Sequence, residues 1–199
     1  MEKNTIAAYD FDGTITNCDT FVDFTIFSKG RFRALCAFIL FFPVIAVTKM
    51  RLYPNWKAKQ LIFSYLFRGV NISVFNQMCK NYYEKRHNRI IRKSAAESIK
   101  RHIQNKDTLA VISASFSNWV RLFAEELGIQ YVICTEIETD ANGLISGKFS
   151  TPNCYGNEKV TRLLQLFPER ESYILISYGD SSGDKDLLNF SDKAFYKTF

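Results

Sequence analysis

Histidine is almost missing from this chain: His87 and His102 are the only two in 199 residues. Both lie in a basic, helix-like stretch, so a histidine-based triad or a histidine-rich metal site is not expected. Each reads as a solvated helix-face side chain. The five cysteines (Cys18, Cys36, Cys79, Cys134, Cys154) are odd in number and scattered, with no C-x-x-C spacing. That pattern argues against a disulfide framework or a zinc site and for reduced thiols in a cytoplasmic setting. There are four prolines and nine glycines and no Pro/Gly/Ser-rich tract, so no long flexible linker separates folded parts. No apolar run reaches the ~18–20 residues of a membrane span. The nearest is 34–47, uncharged and interrupted by Pro43. Met1-Glu2-Lys3-Asn4 leads straight into strand-like sequence, so no secretory signal is expected there.

Acidic residues are also scarce over one long stretch. Residues 29–106 hold 17 Lys and Arg against two acids, Glu84 and Glu97, an excess of +15. The rest holds 9 bases and 18 acids, so a net charge of +6 conceals two regions of opposite sign. Hydrophobic residues make up 47% of the chain and aromatics 15%, enough to exclude disorder and to fill a core. The length suits one large domain or a domain carrying an insertion.

The two ends of the chain alternate strand-like and helix-like patterns, as a parallel sheet with crossover helices requires. Strands are expected at 5–9, 108–112, 131–134, 173–178 and 193–196, and amphipathic helices at 118–127 and 158–167. Asp140-Ala141-Asn142-Gly143 between two short apolar runs predicts a hairpin on the sheet margin. Residues 17–87 break the alternation with helical-period aromatics (Phe21, Phe24, Phe27; Leu61, Tyr65; Tyr82, Tyr83), and one long basic helix near 88–105 is expected to follow. The expected architecture is α/β: a Rossmann-like three-layer core with a central, mostly parallel sheet (1–16 and 88–199), and an all-helical cap, 17–87, inserted after the first strand.

Chemistry concentrates at the predicted strand ends. Asp10-Phe11-Asp12-Gly13-Thr14 follows the first strand, and carboxylates at i and i+2 of extended chain point the same way. Two like charges so close call for a cation or a shared proton. Ser113-Ala114-Ser115 ends the second long apolar run, Gly156-Asn157-Glu158-Lys159 opens a helix, and Gly179-Asp180-Ser181-Ser182-Gly183-Asp184 follows a strand of continuous hydrophobicity. Ligands of open parallel sheets bind at carboxyl ends, so these segments can share one pocket. Lys148 and Lys185 compete with Lys159 for the role of site lysine. Asp186 reads as an exposed helix-start carboxylate.

In order and placement these motifs resemble the haloacid dehalogenase (HAD) superfamily, and within it subfamily IB, the phosphoserine-phosphatase-like group. The resemblance implies a Mg²⁺-dependent phosphatase acting through an aspartyl-phosphate. It implies that Asp10 is nucleophile and metal ligand, and that Asp12 is general acid/base and binds metal through its carbonyl oxygen. It further makes Asp180 a metal ligand, Ser113, Lys159, Gly13 and Ala114 the phosphate-binding groups, and Asp184 a supporting residue. The chain departs from phosphoserine phosphatases at Gly13, where they carry Ser, at Gly183, where they carry Asn, and at Asp19, where they bind substrate ammonium through Glu. Asp19 is therefore a specificity candidate or a helix N-cap, and phosphoserine is not assigned as substrate. Asp12 favours phosphatase or phosphotransferase over dehalogenase, because expelling an alkoxide needs an acid at that position.

The 34–47 run, flanked by Lys29, Arg31, Arg33, Lys49 and Arg51, allows two readings. It is a surface that rests on an anionic bilayer, as in lipid-phosphate phosphatases of the phosphatidylglycerophosphate type, or a buried cap helix with a solvated basic rim. The expected setting is accordingly cytoplasmic or peripheral to the inner membrane face, with a small phosphorylated substrate. A phosphomutase and a basic nucleic-acid-binding module are the rivals. The second is not expected, since such a module has no use for Asp12.

Overall fold

A computed structural model describes residues 3–50 and 52–199; Met1, Glu2, Arg51 and the Lys49 side chain lie outside the described residues, and with them two basic flanks of the apolar run. The core is a five-stranded, all-parallel sheet in the order β3-β2-β1-β6-β7. Its strands are β1 (Asn4–Tyr9), β2 (Thr108–Phe116), β3 (Tyr131–Thr135), β6 (Tyr173–Gly179) and β7 (Lys193–Tyr196). Helices α6 (Lys93–Gln104), α7 (Ser117–Glu126), α8 (Asn157–Leu166) and α9 (Lys185–Phe190) connect them.

Strand β1 lies in the middle and is buried on both faces from Ile6 to Tyr9, as its continuous apolar run there requires. Side-chain alternation splits it: Ile6 and Ala8 join Ala110, Ile112, Leu163 and Leu175 in one core layer, whereas Ala7 and Tyr9 join Leu109, Val111 and Phe123 in the other. This second layer runs without interruption into the inserted helices. Those are α1 (Thr20–Lys29), α2 (Arg31–Leu40), α3 (Phe42–Lys49), α4 (Asn55–Phe67) and α5 (Ile72–Ile90). Phe24 stacks on Trp119 at 4.7 Å between ring centroids, and Phe63 meets Phe116 at 4.8 Å, so aromatic packing fastens the insertion to the core.

Four expectations need correction. The basic stretch 88–105 is not one helix: α5 ends at Ile90, Ile91 and Arg92 are extended, and α6 begins at Lys93. The break occurs where the chain returns beside its outgoing segment. Asn17 N–H donates to the Ile90 carbonyl and Arg92 N–H to the Ile15 carbonyl (both 2.9 Å), so tertiary pairing replaces helical hydrogen bonds. The hairpin, β4 (Ile137–Thr139) with β5 (Ile145–Phe149), does not extend the main sheet but forms a separate two-stranded one. It faces the insertion, with Gly69 and Ile72 N–H groups donating to Ile145 and Gly143 carbonyls. His102 is buried, not solvated, because α6 turns that face onto the sheet; it is bonded to Asp107 (2.7 Å) and the Tyr178 hydroxyl (3.0 Å). His87 is only partly exposed and pairs with Glu126 at 2.9 Å.

The run 34–47 forms α2 and α3, bent by 61° at Phe41. Among the described residues no single helix is long and apolar enough to cross a membrane. Helix α2 buries Ala34 and Ala37 and leaves Phe32, Leu35, Ile39 and Leu40 exposed, so the buried-helix reading of this segment does not describe it.

Candidate active site

Register sets the site. Tyr9 pairs with Val111 on one side and Tyr178 on the other, so Asp10 leaves the sheet beside the ends of β2 and β6, next to Ser113 and Asp180. Asp10 N–H still donates to the Tyr178 carbonyl at 2.9 Å, fixing its backbone before the chain turns. Gly13 then adopts φ +77°, and a Cβ there would run into the Asp180 carboxylate. Positive φ and close approach both favour glycine at this position.

Asp10 is buried, and the Lys159 ammonium donates to its Oδ1 at 2.6 Å and to the Asp184 Oδ1 at 2.6 Å. Lys159 stands in the first turn of α8 and is itself buried, whereas Lys185 is exposed and Lys148 lines a neighbouring cavity. The second Asp184 oxygen accepts from Asp180 N–H (3.2 Å), Ser181 N–H (2.9 Å) and the Ser181 hydroxyl (2.8 Å). Asp184 thus holds both the lysine and the loop that presents Asp180. Asp186 is exposed. Gly183 packs beneath the Tyr155 ring, so a larger residue there would require that ring to shift.

Asp12 is gripped by donors. Thr20 gives Oδ1 its backbone N–H (2.9 Å) and hydroxyl (2.5 Å), Ser115 donates to Oδ2, and Trp119 Nε1–H donates to the Thr20 hydroxyl (3.1 Å). Thr20 escaped sequence reasoning because it acts across the fold on a residue eight positions earlier; Ser115 was visible only as part of the hydroxyl-rich end of β2. Ser113 is buried, its Oγ accepting from Ser115 N–H at 3.1 Å where β2 loses register with β3. Asp19 caps α1 by accepting from Val22 N–H at 3.1 Å, and it lines the same cavity.

That cavity, about 680 Å³, brings together Asp10, Asp12, Gly13, Ser113, Ala114, Lys159, Asp180 and Asp184. A second cavity adjoins it at Trp56 and Tyr155 and has no carboxylate in its lining. Burial pushes Asp10 up to about 7, against the pull of Lys159 and with the charges of Asp184 and Asp12 adding to the rise. Burial likewise raises Asp12, helped by Asp19, and raises Asp180, helped by Asp184. Burial alone would raise Asp184 too, but Lys159 and the Ser181 hydrogen bonds outweigh it and hold it below the ordinary value. Lys159 is held above its ordinary value because Asp10 and Asp184 outweigh its own desolvation.

The donor set fits a hard divalent cation. Ligand oxygens of Asp10, Asp180 and Asp184 lie within 4.8 Å of one another, and Asp180 Oδ1 is buried without a hydrogen-bond partner among the described residues. All-oxygen ligation suits a hard divalent cation such as Mg²⁺.

This constellation, an aspartate pair after the first strand, a lysine from a helix start and a carboxylate loop after the fourth parallel strand, belongs with a known family. The haloacid dehalogenase-like hydrolase pattern matches residues 7–189, and the chain is a member of that family. Among curated proteins, CicA of Caulobacter vibrioides is 26% identical over 194 residues, covering 98% of this chain and 86% of that protein. A protein of unknown function from Bordetella pertussis Tohama I shares the fold at a TM-score of 0.83 with 17% identity (96% of this chain, 88% of that one). A phosphoserine phosphatase solved as a phospho-aspartyl intermediate analogue superposes with a TM-score of 0.65 and 17% identity (96% and 84%).

Proposed function

We propose that the chain is a Mg²⁺-dependent phosphomonoester hydrolase that forms an aspartyl-phosphate on Asp10. The observation that carries this reading is the opening of the Asp10 carboxylate, charge-paired with Lys159, into one cavity with Asp12, Ser113 and Asp180. The phospho-aspartyl state of the phosphoserine phosphatase of like fold supports it. We read 17–87 as a cap covering this cavity on a core of 1–16 and 88–199.

Asp10 and Asp180 would hold Mg²⁺, with the Asp12 carbonyl oxygen. When bound, the ion offsets the repulsion between an anionic nucleophile and an anionic phosphate. Asp10 attacks phosphorus as the ester P–O bond breaks, splitting one hard displacement into two easier steps. Lys159 and Ser113, with backbone N–H groups of Gly13 and Ala114, hold the equatorial oxygens, where charge spreads during transfer. Asp12, raised by burial, carries a proton closer to neutrality and gives it to the leaving oxygen. Thr20 and Ser115 keep it aimed. Asp12 then takes a proton from the water that cleaves the acyl-phosphate, and inorganic phosphate leaves. The test is hydrolysis of a generic aryl phosphate with and without Mg²⁺: activity in the wild type, lost in Asp10→Asn and in EDTA, is expected, and an inert wild type with Mg²⁺ sinks the reading.

One observation favours a narrower reading, a lipid-phosphate phosphatase at a membrane surface. Phe32 is 78% exposed, Ile39 64% and Phe42 65%, on adjoining bent helices with Arg31 and Arg33 alongside. Contiguous exposed apolar surface of this kind marks an interaction site, and a basic rim suits anionic lipid. Flotation with anionic vesicles at low salt tests it; retention should fall in Ile39→Asp/Phe42→Asp, and wild type that stays unbound removes the idea.

A further inference from the structure

A groove of about 870 Å³ runs between α1, α2 and the end of α5. It adjoins the catalytic cavity at Cys18 and Phe38 but contains none of the carboxylates that could hold a metal. Arg31 of α2 and Arg86 and Arg89 of α5 line it, against a single acid, Asp23. Arg86 meets that acid only loosely, Nε to Oδ2 at 3.4 Å, and its Nε is buried without a hydrogen-bond partner among the described residues. Arg31 and Arg89 are exposed and form no ion pair among the described residues. Guanidinium groups sharing one groove repel one another, and an anion among them relieves the repulsion. Their planar forks match phosphate oxygens in particular. The rest of the groove is largely apolar, with Ile26, Leu35 and Phe38 in its walls. Leu35 belongs also to the exposed stripe Phe32, Leu35 and Ile39, which the i, i+3, i+7 spacing puts on one side of α2.

We infer that this groove docks the phosphodiester headgroup of an anionic phospholipid, which is held there and not hydrolysed. The assignment rests on the membrane-surface reading for what the α2 stripe meets. An apolar helix face resting on a bilayer lies at the boundary of headgroups and acyl chains, so cations beside it stand at the level of the lipid phosphates. Leu35 joins the two features, facing the groove and the stripe together. A free phosphate would use the arginines alone, whereas a phospholipid uses the arginines and the apolar wall. The groove lies beside the catalytic cavity, so a lipid seated in it would hold the cavity mouth at the bilayer without occupying it.

The test uses the full chain in EDTA with dihexanoyl phosphatidylglycerol and dihexanoyl phosphatidylcholine, both below their micelle concentrations, and with inorganic phosphate as competitor. Calorimetry reads the dissociation constants in wild type, Arg89→Gln, Arg31→Gln and Lys80→Gln, each first checked for an unchanged melting transition. Wild type should prefer phosphatidylglycerol by about tenfold or more, the scale of one charge-assisted hydrogen bond. Arg89→Gln and Arg31→Gln should each lose most of that preference. Lys80→Gln removes one charge from the same helix as Arg89 but lines a different groove, and it should keep the preference. A wild type without preference overturns the assignment. So does an equal loss in Lys80→Gln, which would mean general attraction to a basic helix, and so does displacement of the lipid by an equal concentration of inorganic phosphate. Vesicle flotation stands apart from this measurement: a protein that floats but shows no preference in solution keeps the membrane reading and loses the groove. One that prefers soluble phosphatidylglycerol but stays off vesicles loses the membrane reading alone.

Discussion

Lys159→Met offers the sharpest probe of the site's electrostatics. The lysine holds two carboxylates at 2.6 Å each, and the side chains of Lys159, Asp10 and Asp184 are 2%, 8% and 1% exposed. Methionine keeps the stem's volume and removes only the charge. Two buried carboxylates then face each other without a cation. Breaking a buried pair from one side costs about 3–5 kcal/mol, most of it the penalty of stranded charge. For a chain of this size, one kcal/mol moves Tm by about 2–4 °C, so a fall of roughly 6–20 °C is expected at pH 7.5 in EDTA. Because the stranded groups are acids, the loss should shrink on acidification as Asp10 takes a proton, and Asp184→Asn in the same chain should recover part of it. Calorimetric melting across pH 5–8 reads both effects. A shift below about 2 °C, or one indifferent to pH, would refute the buried triad, since an exposed pair is worth at most about 1 kcal/mol.

Two further outcomes follow from the same geometry. In the metal-free protein Asp10 has a folded pKa of about 7 against its ordinary 3.8, so the native state binds that proton more tightly than the unfolded chain does. Its contribution to stability is complete below about pH 4 and is lost as pH rises through 7, at up to ~1.4 kcal/mol per pH unit. Asp12 and Asp180 are raised and act in the same direction, whereas the lowered Asp184 matters only below its ordinary range. Urea unfolding in EDTA should show this decline, and Mg²⁺ at pH 8 should reverse it; stability that climbs from pH 5 to 7 without metal contradicts the assignment. Gly13→Ala forces a side chain to φ +77° and into the Asp180 carboxylate, costing about 1–3 kcal/mol and weakening Mg²⁺ affinity, both measurable by melting curves titrated with the ion.

Much of the core was legible along the chain because it is local. Apolar runs such as Thr5–Tyr9 and Tyr173–Tyr178 became neighbouring parallel strands, and the carboxylates and hydroxyls that follow them emerged at one edge of the sheet. That a helical segment follows the first strand was also readable, from the change in period at residue 17 and in charge from residue 29. Other features needed contacts that side-chain period does not reveal. The apparent continuity of 88–105 gave way at Ile91 because the outgoing segment at Thr16 offered its backbone groups there. His102 is buried because α6 turns it toward Tyr178 and Asp107, and Thr20 matters because α1 begins beside Asp12.

By itself, then, the order of residues determined the strand ends, the acids placed there and the helical nature of the insertion, since these rest on side-chain period and turn chemistry within a few residues. Only the tertiary structure decided which lysine meets Asp10, which apolar helix faces stay in contact with water, and that Lys59 reaches the catalytic cavity. The contacts of Lys159 with Asp10 and of Lys59 with Ala114 join segments 149 and 55 residues apart, and the exposed faces depend on how α2 and α3 pack against α1 and α4; periodicity along a chain encodes neither.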